Sequence, residues 1–171
     1  MTSMLHDTHF HLDLFNNPGN VLAQIERAKI YTIAVTNLPD LFSHTDTLTQ
    51  NSKYVRPALG FHPELVCQHK QQFEKFIKLC EQTRYIGEVG LDNYNKSPSD
   101  YATQKNVFEK IIRNCSDLGK KILTVHSRRA EKDVVSIVGS NFSGKIILHW
   151  YSGSIKEIER ALDYNFYFSV N

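Results

Sequence analysis

Short apolar runs rich in β-branched residues recur along this chain, most of them ending on a polar residue and followed by a longer amphipathic stretch. That alternation confines the chain to very few folds. The runs are 4–9, 31–36, 55–60, 85–89, 121–126, 145–149 and 166–170. A run that is apolar throughout reads as a strand covered on both faces, which is the habit of parallel sheets. Parallel neighbours need a crossover, and helical patterns at 21–29, 71–81, 101–118, 131–138 and 155–162 supply it. Within 101–118, Val107, Ile111, Ile112, Cys115 and Leu118 fall on one stripe at helical spacing.

A repeated β-α unit builds either a barrel or a doubly wound open sheet. No glycine-rich phosphate loop follows the first run, as a dinucleotide-binding sheet would want. Polar residues instead gather at the run ends: His9 and His11, Asn37, His62, Glu88, His126, His149 and Asn171. In a barrel such ends converge on one mouth. The expectation is therefore an α/β chain folded as one TIM (β/α) barrel domain over residues 1–171. Only seven strands are found, and a closed eight-stranded barrel usually takes at least ~200 residues. The reading is a C-terminal truncation that lacks the eighth strand; an open barrel completed by a partner is the other option.

Composition narrows the function. Twenty basic residues against 18 acidic ones leave a net charge of +2, too little for a protein that grips nucleic acid over its whole surface. Cys67, Cys80 and Cys115 form no CxxC pair, which argues against a disulfide framework and a thiolate zinc site. No apolar run is long enough to span a bilayer and the N-terminus has no secretory pattern, so the expected location is the cytoplasm, away from membranes.

Eight histidines invite a search for metal ligands. His9 and His11 are two apart on a strand and share a face, so both imidazoles can enter the mouth and hold one divalent ion. Alone, such a pair is as well explained by surface or core histidines. Closing a first strand between Asp7 and Asp13, it reads as a ligand pair. Glu88, between Gly87 and Gly90, is a carboxylate among apolar neighbours that would be costly to bury unpaired. A metal removes that cost, and a carboxylate can bridge two ions. His126 and His149 repeat one design, a β-branched strand delivering a histidine at its end. His9, His11, Glu88, His126 and His149 thus form a coherent metal set suited to Zn²⁺, Mn²⁺ or Co²⁺, or to Mg²⁺ if Glu88 bridges a pair. Arg128 or Arg129 offers a guanidinium fork for phosphate, the other facing solvent. His62 is placed to donate to substrate. Of Trp150 and Tyr151, one is expected to pack in the core and one could stack on a base.

Taken in order, DTHFHLD (7–13), GFHP (60–63), GEVGLD (87–92), the helix with Gln104 and Phe108, HSRR (126–129) and HWYSGS (149–154) resemble the motifs of the TatD family of metal-dependent deoxyribonucleases. The match spans 7–171. The stretches RPALGFHPEL, RYIGEVGLD, KILTVHSRRA, ILHWYSGS and FYFSVN more narrowly resemble the QatD proteins, the TatD-like components of Qat anti-phage systems. The resemblance implies a TIM barrel with two divalent ions (Mg²⁺, Mn²⁺ or Zn²⁺) that hydrolyses phosphodiesters in DNA, with other Qat-type proteins as partners. By motif, His9, His11 and a shared Glu88 would hold one ion and His126 and His149 the other. His62 and Arg128 would face the phosphate as catalytic residues with Glu88. The family's further aspartate at the eighth strand has no counterpart here, so this 171-residue form is expected to bind metal poorly and to turn over poorly or not at all. Two rivals remain: a barrel hydrolase acting on amides or lactones, which often has a lysine where Glu88 stands, and a non-catalytic nucleic-acid-binding subunit.

Overall fold

The computed structural model describes residues 5–170. Met4, which opens the first run, and Asn171, read as the polar end of the seventh, lie outside the described residues. The strands are β1 (His6–Phe10), β2 (Tyr31–Val35), β3 (Val55–Ala58), β4 (Tyr85–Gly90), β5 (Ile122–His126), β6 (Lys145–Leu148) and β7 (Tyr167–Phe168). Between them run α1 (Pro18–Ala28), α2 (Pro39–Thr49), α3 (Phe73–Cys80), α4 (Pro98–Leu118), α5 (Glu131–Val138) and α6 (Ile155–Asp163). Every strand pair is parallel, in the orders β1-β2-β3 and β4-β5-β6-β7. A bridge between Leu59 and Ile86 joins the two groups, with the Leu59 amide donating to the Tyr85 carbonyl at 3.0 Å. Neighbours in space are therefore neighbours in sequence all the way across. A doubly wound sheet would reverse its order at a switch point, so this is the wall of a barrel.

Local chemistry explains the helix starts. Asn17 and Ser97 accept hydrogen bonds from the Asn20 and Asp100 amides at 3.0 and 3.1 Å, and Pro18 and Pro98 follow each cap. The second cap starts α4 three residues before the expected 101. Its buried stripe is Gln104, Phe108, Ile111, Ile112 and Cys115, while Leu118 is exposed. The helix α2 has no counterpart in the sequence reading. Its interior carries Ser43, Thr45, Asp46 and Thr47, which compete for backbone hydrogen bonds and blur the pattern. Tertiary burial of Phe42 and Thr45 secures it.

The larger core packs α3, α4 and α5 on β4, β5 and β6, with Phe76, Phe108, Ile111 and Leu123 each 1% exposed or less. Burying each such side chain stabilises by about 1.5–3 kcal/mol. A smaller core under β1–β3 gathers Leu12, Ile25, Ala34 and Val55, with Phe10 against them. Among the described residues, no helix is long and apolar enough to cross a membrane.

Candidate metal centre

The strand ends approach closely because two glycines leave room. A side chain on Gly60 would collide with the Thr36 carbonyl, and one on Gly90, at φ +140, with the carbonyl of His126. With nothing there, the Glu88 amide reaches the Thr36 carbonyl at 3.0 Å and its carbonyl accepts from the Phe61 amide at 2.9 Å. Glu88 is thereby fixed at the meeting point of β2, β3 and β4.

Its carboxylate is 4% exposed and ringed by four imidazoles. Oε2 lies 3.3 Å from His9 Nε2, 3.5 Å from His11 Nε2 and 3.5 Å from His62 Nε2. Oε1 lies 2.6 Å from His126 Nδ1. The alternation of β1 does what two-residue spacing predicts: His9 and His11 turn the same way, their Nε2 atoms 3.3 Å apart, while Phe10 faces the smaller core. Two groups of potential ligands, each with donor atoms within 4.8 Å of one another, result: His9, His11 and Glu88, and His62, Glu88 and His126. Glu88 belongs to both. His62, read from sequence as a substrate contact, stands among these donors. His149 does not; its ring stacks on His9 with centroids 3.3 Å apart, and Nδ1 lies 3.3 Å from Ser169 Oγ.

Asp92 is the functional candidate that the sequence reading passed over. It is fully buried, and its Oδ2 lies 2.8 Å from His126 Nε2, so His126 is held between two carboxylates. Gln104 Oε1 accepts the Asp92 amide at 2.8 Å, and the Tyr94 amide donates to Asp92 Oδ1 at 2.8 Å. The signal was only that Asp92 is a carboxylate two residues beyond the end of β4, in the same GEVGLD stretch as Glu88.

These contacts reset the charges. Burial would raise the pKa of Glu88, but contacts with His11, His126 and His9 and the charge of His62 outweigh it and hold the carboxyl well below the usual range. Burial would lower that of His126, but Asp92 and Glu88 prevail and lift it to about 9. Burial and the neighbouring His9 push His149 down to about 4. Without a cation, then, a proton on His126 offsets one of the two carboxylate charges and leaves the other for a cation to meet.

The donor chemistry fits divalent metal. Imidazole nitrogens and carboxylate oxygens without thiolate suit Zn²⁺ or Mn²⁺, and a bridging carboxylate extends the range to Mg²⁺. Two Nε2 atoms facing each other across 3.3 Å gain little unless a proton or cation lies among them. The carboxylate behind His126 matches the outer contact that orients metal-ligating histidines. Above this floor opens a cavity of about 710 Å³, with Ser127, Arg128, Trp150 and Ser152 on its walls. The Arg128 guanidinium lies 3.9 Å over the Tyr94 ring, which holds it flat on that wall.

Comparison with known proteins agrees with this architecture. YabD of Bacillus subtilis, described as an uncharacterized metal-dependent hydrolase, is 30% identical over 97% of this chain, which covers 68% of YabD. The 3'-5' RNA nuclease TATDN2 of Homo sapiens is 28% identical over 92% of this chain, which covers 23% of that protein. The crystal structure of YjjV, a TatD homolog from Escherichia coli K12, superposes with a TM-score of 0.83 at 22% identity, over 96% of this chain and 66% of that one. This chain thus spans about two thirds of YabD and YjjV and shares the fold of YjjV. The family model described as TatD related DNase matches residues 6–171, and the chain belongs to that family.

Proposed function

We propose that this chain hydrolyses phosphodiester bonds in DNA at the His-carboxylate floor of the barrel mouth, and that it does so in anti-phage defence. The single observation that carries the chemistry is the Glu88 carboxylate ringed by His9, His11, His62 and His126. Divalent ions held there would supply a Lewis acid that activates water and neutralises charge on the phosphate.

In this reading His9, His11 and Glu88 hold one ion, and Glu88 is shared with a second anchored by His126. The motif assigns His149 to that second ion; the geometry favours His62, which already faces Glu88. Metal analysis of His62→Ala and His149→Ala separates the two assignments. Asp92 fixes the His126 ring, and Gln104 fixes Asp92. Arg128, held flat by Tyr94, neutralises the non-bridging oxygens as charge builds on phosphorus. The defence role rests on the QatD-like stretches, with other Qat-type proteins as partners.

The test uses end-labelled DNA with added Mg²⁺, Mn²⁺ or Zn²⁺. Metal-dependent cleavage, lost in His9→Ala/His11→Ala together with bound metal, is expected. Cleavage of amides or lactones with DNA untouched would put a different hydrolase in its place. DNA binding with no hydrolysis of any kind would leave a recognition subunit. Plaque counts in cells carrying the intact defence operon or its Glu88→Gln form test the defence role separately.

A further inference from the structure

Trp150 is the only tryptophan of the chain, and it packs in no core. The residue is 65% exposed. Tyr151 beside it is half-buried, edge-on to Phe168 at 5.2 Å, with its hydroxyl donating to the Ser154 carbonyl at 3.1 Å. One aromatic of the pair serves packing, and the other forgoes the large burial gain open to an indole. Its backbone lies at φ 42, a left-handed conformation that bulky residues rarely adopt and that tends to mark functional positions. That turn sets the indole on the cavity wall, 6.4 Å from the His149 ring and inclined to it by 66°. Arg128 occupies the same wall. An exposed π face and a flat cation therefore border the carboxylate-histidine floor together.

The geometry points to Trp150 as a specificity-determining residue that stacks on an unpaired nucleobase at the end of a nucleic-acid strand, next to the phosphate on the floor. The inference rests on the phosphodiesterase reading. A phosphate alone offers nothing for an indole to recognise, whereas every base has a π face and stacking tolerates all sequences. Inside a duplex both faces of a base are covered by its neighbours. At a blunt end the terminal base exposes one face but stays held by its pairing partner, whereas an unpaired end can turn its base out to meet the indole, so Trp150 makes the site select for unpaired ends.

Because Trp150 is the only indole, its fluorescence reports stacking directly, without turnover. With EDTA present so that the strand is not consumed, oligothymidylate should quench the emission saturably. Its RNA counterpart should do the same, blunt duplex should quench weakly, and an abasic deoxyribose-phosphate oligomer should not quench. Anisotropy with a labelled oligothymidylate should give an affinity about tenfold weaker for Trp150→Ala, with most of the loss recovered by Trp150→Phe. In metal-loaded protein the alanine variant should raise KM more than it lowers kcat. No quenching, equal quenching by the abasic oligomer, or an unchanged affinity in Trp150→Ala overturns the inference. Saturable, base-dependent quenching supports it even if no strand is cleaved, and that outcome would sink the hydrolase reading alone.

Discussion

The two ends of β5 hold their polar groups in opposite ways. At the entry, Lys121 is 7% exposed, and its Nζ donates to the carbonyls of Cys80 and Thr83, both at 2.6 Å. One acceptor is the last residue of α3 and the other lies in the turn after it, so this charge is satisfied by one stretch of neutral backbone. At the exit, His126 lies between the carboxylates of Glu88 and Asp92, and Glu88 in turn meets histidines from β1 and from the loop after β3. Here ionisable side chains from separate elements converge on one another, with the Tyr94 amide and the Thr124 hydroxyl as outer partners of Asp92 and His9. A stabilising contact is closed by what is nearby; a site concentrates charges that fold no better for being together. The entry is a staple, and the exit is the proposed metal centre.

Glu88→Gln should break the exit most severely. It keeps the side chain's size but removes the charge shared by both donor groups, so bound metal and DNA cleavage should both fall below detection. Elemental analysis beside an end-label assay decides it; full metal content in the variant would end the claim that Glu88 is the hub. Arg128→Ala should leave metal in place and slow cleavage by about 10²-fold, as for loss of one electrostatic contact in a transition state. Arg128→Lys should recover only part, since an ammonium makes no two-pronged contact. An unchanged rate would return Arg128 to solvent.

At the entry, Lys121→Met should leave two buried carbonyls without a donor and cost about 2 kcal/mol in urea unfolding. Metal content of the folded variant should not change. If it falls along with stability, the two ends are not independent and the contrast fails.

The smallest effect is on pH. In metal-free protein His126 titrates at about 9, above its ordinary 6.5, so its stabilisation is complete below 6.5 and is lost as pH rises through 9. Glu88 is depressed below its ordinary 4.5, so its contribution is present above that value and lost as pH falls toward the folded one. His149, depressed to about 4, and His62, also depressed, stabilise the neutral-imidazole fold above 6.5 and lose that contribution as pH falls below it. Metal-free protein should therefore melt highest near 6.5. Added metal should shift the maximum upward, because it binds neutral imidazole and displaces the His126 proton. A metal-free melting temperature that keeps rising from 6.5 to 9 would contradict the double-carboxylate contact.

Much of this was legible in the residues. The β-branched runs marked the seven described strands, most cleanly β4 and β5, where burial on both faces demands apolar side chains at nearly every position. The α2 helix escaped because Ser, Thr and Asp carry no helical stripe and only tertiary burial holds them. The paired direction of His9 and His11 followed from their spacing, and the need for room around Glu88 followed from Gly87 and Gly90. Asp92 was overlooked because it lies past the end of β4, where strand alternation no longer tells which way a side chain turns.

The sequence by itself determined which side chains arrive at the mouth, since strand alternation and strand ends are local properties of the backbone. Only the tertiary structure decided how they group. His62 joins Glu88 and His126, while His149 lies against His9, although the motifs pair His126 with His149. Likewise it alone decided that Tyr151 packs and Trp150 stands free. Such choices depend on distances between strands far apart in the chain. Those distances are set by the curvature of the wall and the close approaches at Gly60 and Gly90, which no local pattern encodes.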